Sequence, residues 1–338
     1  MMQQSYPGAV AQVPLLNPSA SHVIGIDIGG TSLRLALANS SGSVIAKWTA
    51  STSGMRDAQP VVDLILQGVD HLLRQSSLPR SALHAVAAGA PGITDVDSGI
   101  VIATSYLMGW RDVPLRALLE SALGVPAAID NDVNLAALGE SWTGVANGVR
   151  DFVFLAVGTG IGAGIVLNGS LFHGMRWTAG EIGYMLVPGA SEEPAERDEP
   201  GALESLAGGQ GIRNQWQKVW SSDKTALPKD LTATQIFDYA VNDGDTLANI
   251  ILHQSARMLA YAIYNMSLIL SCPLFVLGGS VGLHPALCEA TQTILQQRSE
   301  RALPQVKQSA LGADAQLTGA IRLALDVAMA RSERSIAE

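Results

Sequence analysis

Charge and sulfur are both scarce in this 338-residue chain: only 15% of its residues are charged, and only two, Cys272 and Cys288, are cysteines. Two thiols outside any CxxC arrangement offer no disulfide framework and no thiolate zinc cluster, and they fit a reducing cytoplasm. The basic side is the thinner one. Lys and Arg number 21 against 30 Asp and Glu, a net charge of −9, which repels nucleic-acid backbones and anionic membrane surfaces, and no basic patch interrupts it. The first 22 residues contain no Lys or Arg, and Pro7, Pro14 and Pro18 break their apolar runs. A signal peptide is therefore not expected, and residues 1–21 read as a flexible leader. The six histidines, at 22, 71, 84, 173, 253 and 284, never fall at metal-ligand spacing. No Gly-Lys pair exists, which removes a Walker-type phosphate loop.

What the chain does have is apolar residues, 48% of the total, and 34 glycines. Its length suits two domains or one bilobal unit. Residues 258–279 carry no charge, but Pro273 divides them into an amphipathic helix and a short strand, so a buried helix and strand is expected there rather than a membrane span. Residues 23–28, 32–38 and 43–50 read as a meander of strands around a Gly29-Gly30 turn. Residues 152–157, 163–167 and 170–172 repeat the scheme around Gly158-Thr159-Gly160. Helices fit 60–74, 113–122, 133–140, 234–240, 246–271 and 316–331, and further strands fit 84–88 and 127–129. Two such meanders about 130 residues apart predict a duplicated α/β unit with a cleft between the copies, and such clefts usually hold ligand. The segment 189–201, GASEEPAERDEPG, reads as a solvated acidic loop.

The glycine motifs narrow the chemistry. Gly158 to Ala163 matches the loose dinucleotide fingerprint, but that fingerprint must open a helix and here it leads into a strand. Gly278 to Gly282 matches GxSxG, yet the last histidine, His284, lies only four residues past Ser280 and ahead of Asp314 and Asp326, against the order a hydrolase triad needs. Asp27-Ile-Gly29-Gly30-Thr31-Ser32-Leu33-Arg34 and Gly158-Thr159-Gly160 are left as hairpin turns rich in backbone N–H and hydroxyl groups. Turns of this kind let the chain approach a polyphosphate, and a nearby carboxylate can hold Mg²⁺ or its water shell.

Seven segments in order resemble the ROK group of sugar kinases and related repressors. They are DIGGTSLR (27–34), APGIT (90–94) with SYLMGW (105–110), DNDVNLAALGE (130–140), GTGIGAG (158–164), AGEIGY (179–184), GALE (201–204) and LGGSV (277–281). The resemblance implies an α/β, two-lobed actin/hexokinase-like (ribonuclease H-like) ATPase fold with a duplicated meander and a central cleft. The expected division is a smaller lobe over 22–132, joined by the C-terminal helix 316–338, and a larger lobe over 133–315. It further implies phosphoryl transfer from ATP to the 6-hydroxyl of a hexose, glucose before other hexoses, with Asp132 as general base. Gly92, Ser105, Asn131, Asp132, Glu181, Tyr184 and Glu204 would contact the sugar. Asp27, Gly29, Gly30, Thr31, Arg34, Gly158, Thr159, Gly160, Gly278 and Gly279 would hold the nucleotide, with Asp27 reaching Mg²⁺ through water. From the residues alone, Asp130, Asn131 and Asp132 equally suit a helix N-cap.

Two departures from the family pattern bear on the site. Tyr184 stands where a histidine is usual, and the CxCGxxGC cluster that usually precedes the Leu-Glu pair is missing before Leu203-Glu204, so no structural zinc is expected. Tyr106 also replaces a common asparagine. A catalytically silent sugar sensor is the alternative function. DNA binding is not expected, because the 26 residues before Asp27 are fewer than a winged helix needs and carry no base. A cytoplasmic homodimer completes the expectation.

Overall fold

The computed structural model describes residues 22–104, 107, 109–191, 199–298 and 303–337. The leader at 1–21, Ser105, Tyr106 and positions 192–198 of the acidic loop lie outside the described residues.

The first meander forms as β1 (His22–Ile28), β2 (Ser32–Asn39) and β3 (Val44–Ser51). Helix α1 (Ala58–Gln75) buries Val61, Val62, Ile65, Val69, Leu72 and Leu73 along one stripe, and β4 (Leu83–Ala90) follows. Three short strands, β5 (Ile93–Asp95), β6 (Ile100–Ala103) and β7 (Arg111–Val113), make a separate small sheet. Helix α2 (Leu115–Leu123), β8 (Ala127–Asn131) and α3 (Asp132–Thr143) complete this half. The second meander is β9 (Phe152–Val157), β10 (Ile161–Leu167) and β11 (Ser170–Leu171). After it come α4 (Glu204–Ala207), α5 (Gly209–Val219), α6 (Ala233–Asn242) and α7 (Thr246–Leu270). The chain ends through β12 (Leu274–Gly278), α8 (Gly279–Gly282), α9 (Pro285–Gln296), β13 (Gln305–Gln308) and α10 (Ala315–Ala337).

The two large sheets share one topology. Their orders are β3-β2-β1-β4-β8 and β11-β10-β9-β12-β13. In each, the first two strands form an antiparallel hairpin and the two later ones join in parallel. The central strands are buried along nearly their whole length, as parallel strands covered on both faces must be. The uncharged stretch at 258–279 divides as the proline requires. Helix α7 stops at Ser271, in left-handed conformation, two residues before Pro273, and β12 begins one residue after the proline. Among the described residues no helix is long and apolar enough to cross a membrane.

Two helices cross between the sheets. Helix α10 lays Leu317, Ile321, Ala324 and Leu325 on Val23, Ala36, Ala85 and Ala87 of the first sheet. Helix α3 lays Ala136 and Ala137 on Phe152, Phe154 and Val166 of the second. They meet through glycines: a Cβ on Gly319 would lie 1.7 Å from the Leu135 carbonyl oxygen, and one on Gly139 2.5 Å from that of Ala315. Glu140, fully buried on α3, accepts the N–H groups of Val145 (2.7 Å) and Leu311 (3.1 Å) and the Ser309 hydroxyl. It thereby joins the end of α3 to the segment entering α10. The helix expected from residue 113 starts at Leu115, because Arg111–Val113 pairs with β6 and Pro114 precedes the first turn.

Candidate active site

Asp27 stands near the end of β1, directly opposite Arg34 on β2. Arg34 Nε and Nη2 both donate to Asp27 Oδ2, at 2.8 and 2.5 Å, and Nη1 donates to the Ala313 carbonyl at 2.6 Å. Burial pushes the Asp27 carboxyl above the usual range, and the Arg34 guanidinium opposes that shift without cancelling it. Arg34 therefore ties the first turn to the segment ahead of α10. The turn itself is closed by the Gly29 N–H on the Ser32 carbonyl (2.8 Å), while the Thr52 hydroxyl donates to the Gly29 carbonyl (2.7 Å). Gly30 and the exposed Thr31 form its tip.

The other two glycine motifs come together at the end of the second sheet. Gly158 N–H closes its turn on the Gly160 carbonyl (3.0 Å), and the Gly158 and Thr159 carbonyls accept the N–H groups of Gly209 and Gln210 from the start of α5. Gly278 pairs with Ala156 in the sheet. Gly279 has φ +79°, and a Cβ there would lie 2.5 Å from the Val157 carbonyl oxygen, so the backbone of this motif lies against the base of the 158–160 turn.

Asp132 is the first residue of α3, and Asn131 is its N-cap. Asn131 Oδ1 accepts the N–H groups of Val133 (2.8 Å) and Asn134 (3.2 Å), and its Nδ2 donates to the Gly92 carbonyl at 2.8 Å. The cap therefore also fixes Gly92. Asp132 is half-buried, and its Oδ1 accepts the Val133 N–H at 2.9 Å. Burial, with further contributions from the negative charges of Asp27 and Glu181, pushes its carboxyl up to about 7. Glu181 is itself raised, by burial and then by Glu204. Glu204 Oε2 accepts the Ile161 N–H at 2.8 Å, which anchors the second glycine turn to the carboxylate cluster. Tyr184 closes a turn with Glu181 through its backbone N–H (3.3 Å) and is 54% exposed. Asp27, Asp132, Glu181 and Glu204 thus form a chain of interacting carboxylates running from the first sheet to the second.

The profile of the ROK family matches residues 23–327. The chain belongs to the ROK family. The glucokinase of Halalkalibacterium halodurans is 32% identical over 309 residues, 88% of this chain and 92% of its own length. A ROK hexokinase from Thermus thermophilus of known structure is 28% identical, with a TM-score of 0.73 over 93% of this chain and 99% of that one. A ROK family glucokinase from Streptomyces griseus, solved with glucose and AMPPNP, shares the fold at 24% identity and TM-score 0.76, covering 90% of this chain and 100% of that one. The fold is accordingly the actin/hexokinase-like architecture of the ROK sugar kinases.

Sequence reasoning missed three polar contacts at this ROK site. Arg34 reaches Ala313 across 279 positions, Glu140 holds Leu311, and His173 bonds Asp130. The resemblance singled out Arg34 and spans Asp130 and Glu140, but their partners lie outside every motif and no spacing rule links them.

Proposed function

We propose that this ROK protein transfers the γ-phosphoryl group of ATP to the 6-hydroxyl of a hexose, with glucose the first candidate, and that Asp132 is the general base. The supporting observation is a carboxyl raised to about 7 at the start of α3, facing the charges of Asp27 and Glu181. Such a group is partly ionised at neutral pH and basic enough to accept a hydroxyl proton. Asn131, Glu181 and Glu204 supply planar groups suited to vicinal hydroxyls, and Gly92 is held beside them. Tyr184, in place of the family's histidine, offers a hydroxyl on the same side. The two glycine turns and Gly278-Gly279 present backbone N–H groups to the polyphosphate, one turn from each sheet.

Mg²⁺ fits the donor chemistry here, because Asp27 is a hard carboxylate whose ion pair with Arg34 uses Oδ2 and leaves Oδ1 for a hydrated cation. Bound there, the ion would offset charge on the transferred phosphoryl group. Formation of the hexose phosphate, followed across a panel of hexoses with ATP and polyphosphate as alternative donors, tests the reading. Sugar binding without turnover on any donor would replace it with the sensor function.

A further inference from the structure

Asp130 lies one residue before the Asn131-Asp132 pair, at the end of β8, and is 4% exposed. Its Oδ1 accepts the Asn131 N–H (2.7 Å) and the Asn134 Nδ2 (2.9 Å), so the carboxylate braces both the turn and the first turn of α3. Its Oδ2 is met at 2.8 Å by Nε2 of His173. His173 belongs to the other half of the molecule. It follows β11, the edge strand of the second sheet, whereas β8 is an edge strand of the first.

The backbone of His173 also leads to the sugar side of the cleft. Its carbonyl accepts the Ala179 N–H (3.2 Å), and Gly180, next along, accepts the Ala163 N–H of β10 (2.8 Å) immediately before Glu181. Hydrogen bonding to Asp130 raises the imidazole's pKa; partial burial opposes this, and the charges of Asp130 and Asp97 add to the rise. The contact is therefore a charge-assisted hydrogen bond to a buried acceptor, the kind whose loss leaves a carboxylate unpaired. Arg34 pairs with Asp27 and His173 with Asp130. Asp132 and Glu181 have no ion-pair partner among the described residues.

We propose that His173 is a positioning residue: its bond to Asp130 locks the turn carrying Asp132 to the loop carrying Glu181, and so fixes the separation of base and sugar-binding carboxylate across the two sheets. This rests on the kinase reading of the same cleft. A misplacement near 1 Å at a reacting centre costs on the order of 10²-fold in rate, so a lock of this kind acts on turnover more than on sugar affinity.

The test is His173→Ala beside His173→Gln, whose amide can donate where Nε2 does. Hydrogen exchange of the full chain and steady-state kinetics with the best hexose are measured for both. His173→Ala is expected to speed exchange in two separate segments, 130–134 and 174–184, leaving β12 and β13 unchanged. It is also expected to lower kcat by about 10- to 100-fold while the sugar's Kd stays within threefold, and His173→Gln is expected to recover most of that loss. Faster exchange confined to the neighbours of His173, or a kcat within twofold of wild type, overturns the proposal. If wild type turns over no hexose, the kinase reading falls and the exchange pattern alone decides the lock. If the alanine variant does not fold, Asp130→Asn is measured in its place, with the same two-segment pattern required.

Discussion

Replacing Asp132 by Asn should make the protein more stable and nearly inactive at once, a combination that a purely structural N-terminal acid would not produce. The amide keeps the Oδ1 that accepts the Val133 N–H at 2.9 Å and keeps the side chain's size, but it cannot take a proton. Loss of a general base lowers kcat by about 10² to 10⁴. Sugar affinity should change little, because Asn131, Glu181 and Glu204 remain.

The stability gain follows from the sign of the pKa shift. A carboxyl with an ordinary value of 3.8 that stands near 7 in the folded chain favours folding in its protonated form, and that contribution is lost as the pH rises from about 4 through 7. Above pH 7 the full difference opposes folding, which at 1.36 kcal/mol per pKa unit is ~4 kcal/mol. Water at the open side of this half-buried group reduces that figure, and the amide gives up the ~0.3–1 kcal/mol of a negative charge at a helix N-terminus. A net gain of about 1–3 kcal/mol at pH 8 remains, or a melting temperature higher by roughly 1–4 °C for a chain of this length, with a smaller gain at pH 5. In wild type, the acidic limb of kcat/KM should have its midpoint near 7, with activity rising toward higher pH. Differential scanning fluorimetry at both pH values and a coupled ADP assay from pH 5 to 9 supply the measurements. A variant that melts lower than wild type at pH 8, or keeps kcat within threefold, would refute the reasoning.

Three further outcomes are expected. Gly319→Ala places a Cβ 1.7 Å from the Leu135 carbonyl, so the α3–α10 crossing must open and the denaturation midpoint should fall by the equivalent of ~1–3 kcal/mol; an unchanged midpoint contradicts the crossing. Arg34→Gln leaves the buried Asp27 carboxylate without its guanidinium, and the loss of stability should be larger at pH 8 than at pH 5, where the orphaned acid can protonate; a loss that is the same at both values counts against an ionised pair. Purified protein should hold far less than one zinc per chain, and a zinc-selective chelator should leave its melting temperature and activity unchanged in excess Mg²⁺, since no Cys or His lies between Gly180 and Glu204; one zinc per chain, lost with activity, sinks it.

The elements legible in the sequence are those whose local pattern and tertiary role agree. Strands β1, β2, β9 and β10 are apolar runs bounded by glycine turns, and α7 is long, periodic and ended before a proline. The small sheet β5–β7 was not legible, because strands of three or four residues carry no period. Helix α5 was hidden by two glycines in its first turn and buries only Gly211, Ile212 and Trp216. The mostly polar QVKQ of β13 forms a strand only because β12 offers a parallel partner in register from Leu274 to Leu277.

At the site, the ambiguity that local reasoning left in Asp130-Asn131-Asp132 is resolved by a division of labour visible only in three dimensions. All three side chains are chemically fit to cap α3, but one cap needs one acceptor, and Asn131 takes it by accepting from both Val133 and Asn134. Asp130 is turned the other way, to Asn134 Nδ2 and His173. Asp132 is left with the Val133 N–H, and burial, with further contributions from the charges of Asp27 and Glu181, drives its carboxyl toward neutrality. A sequence motif can state which residue types occupy such a turn. Which groups meet each of them depends on Asp27 of β1, His173 after β11 and Glu181, and no spacing within the turn encodes those.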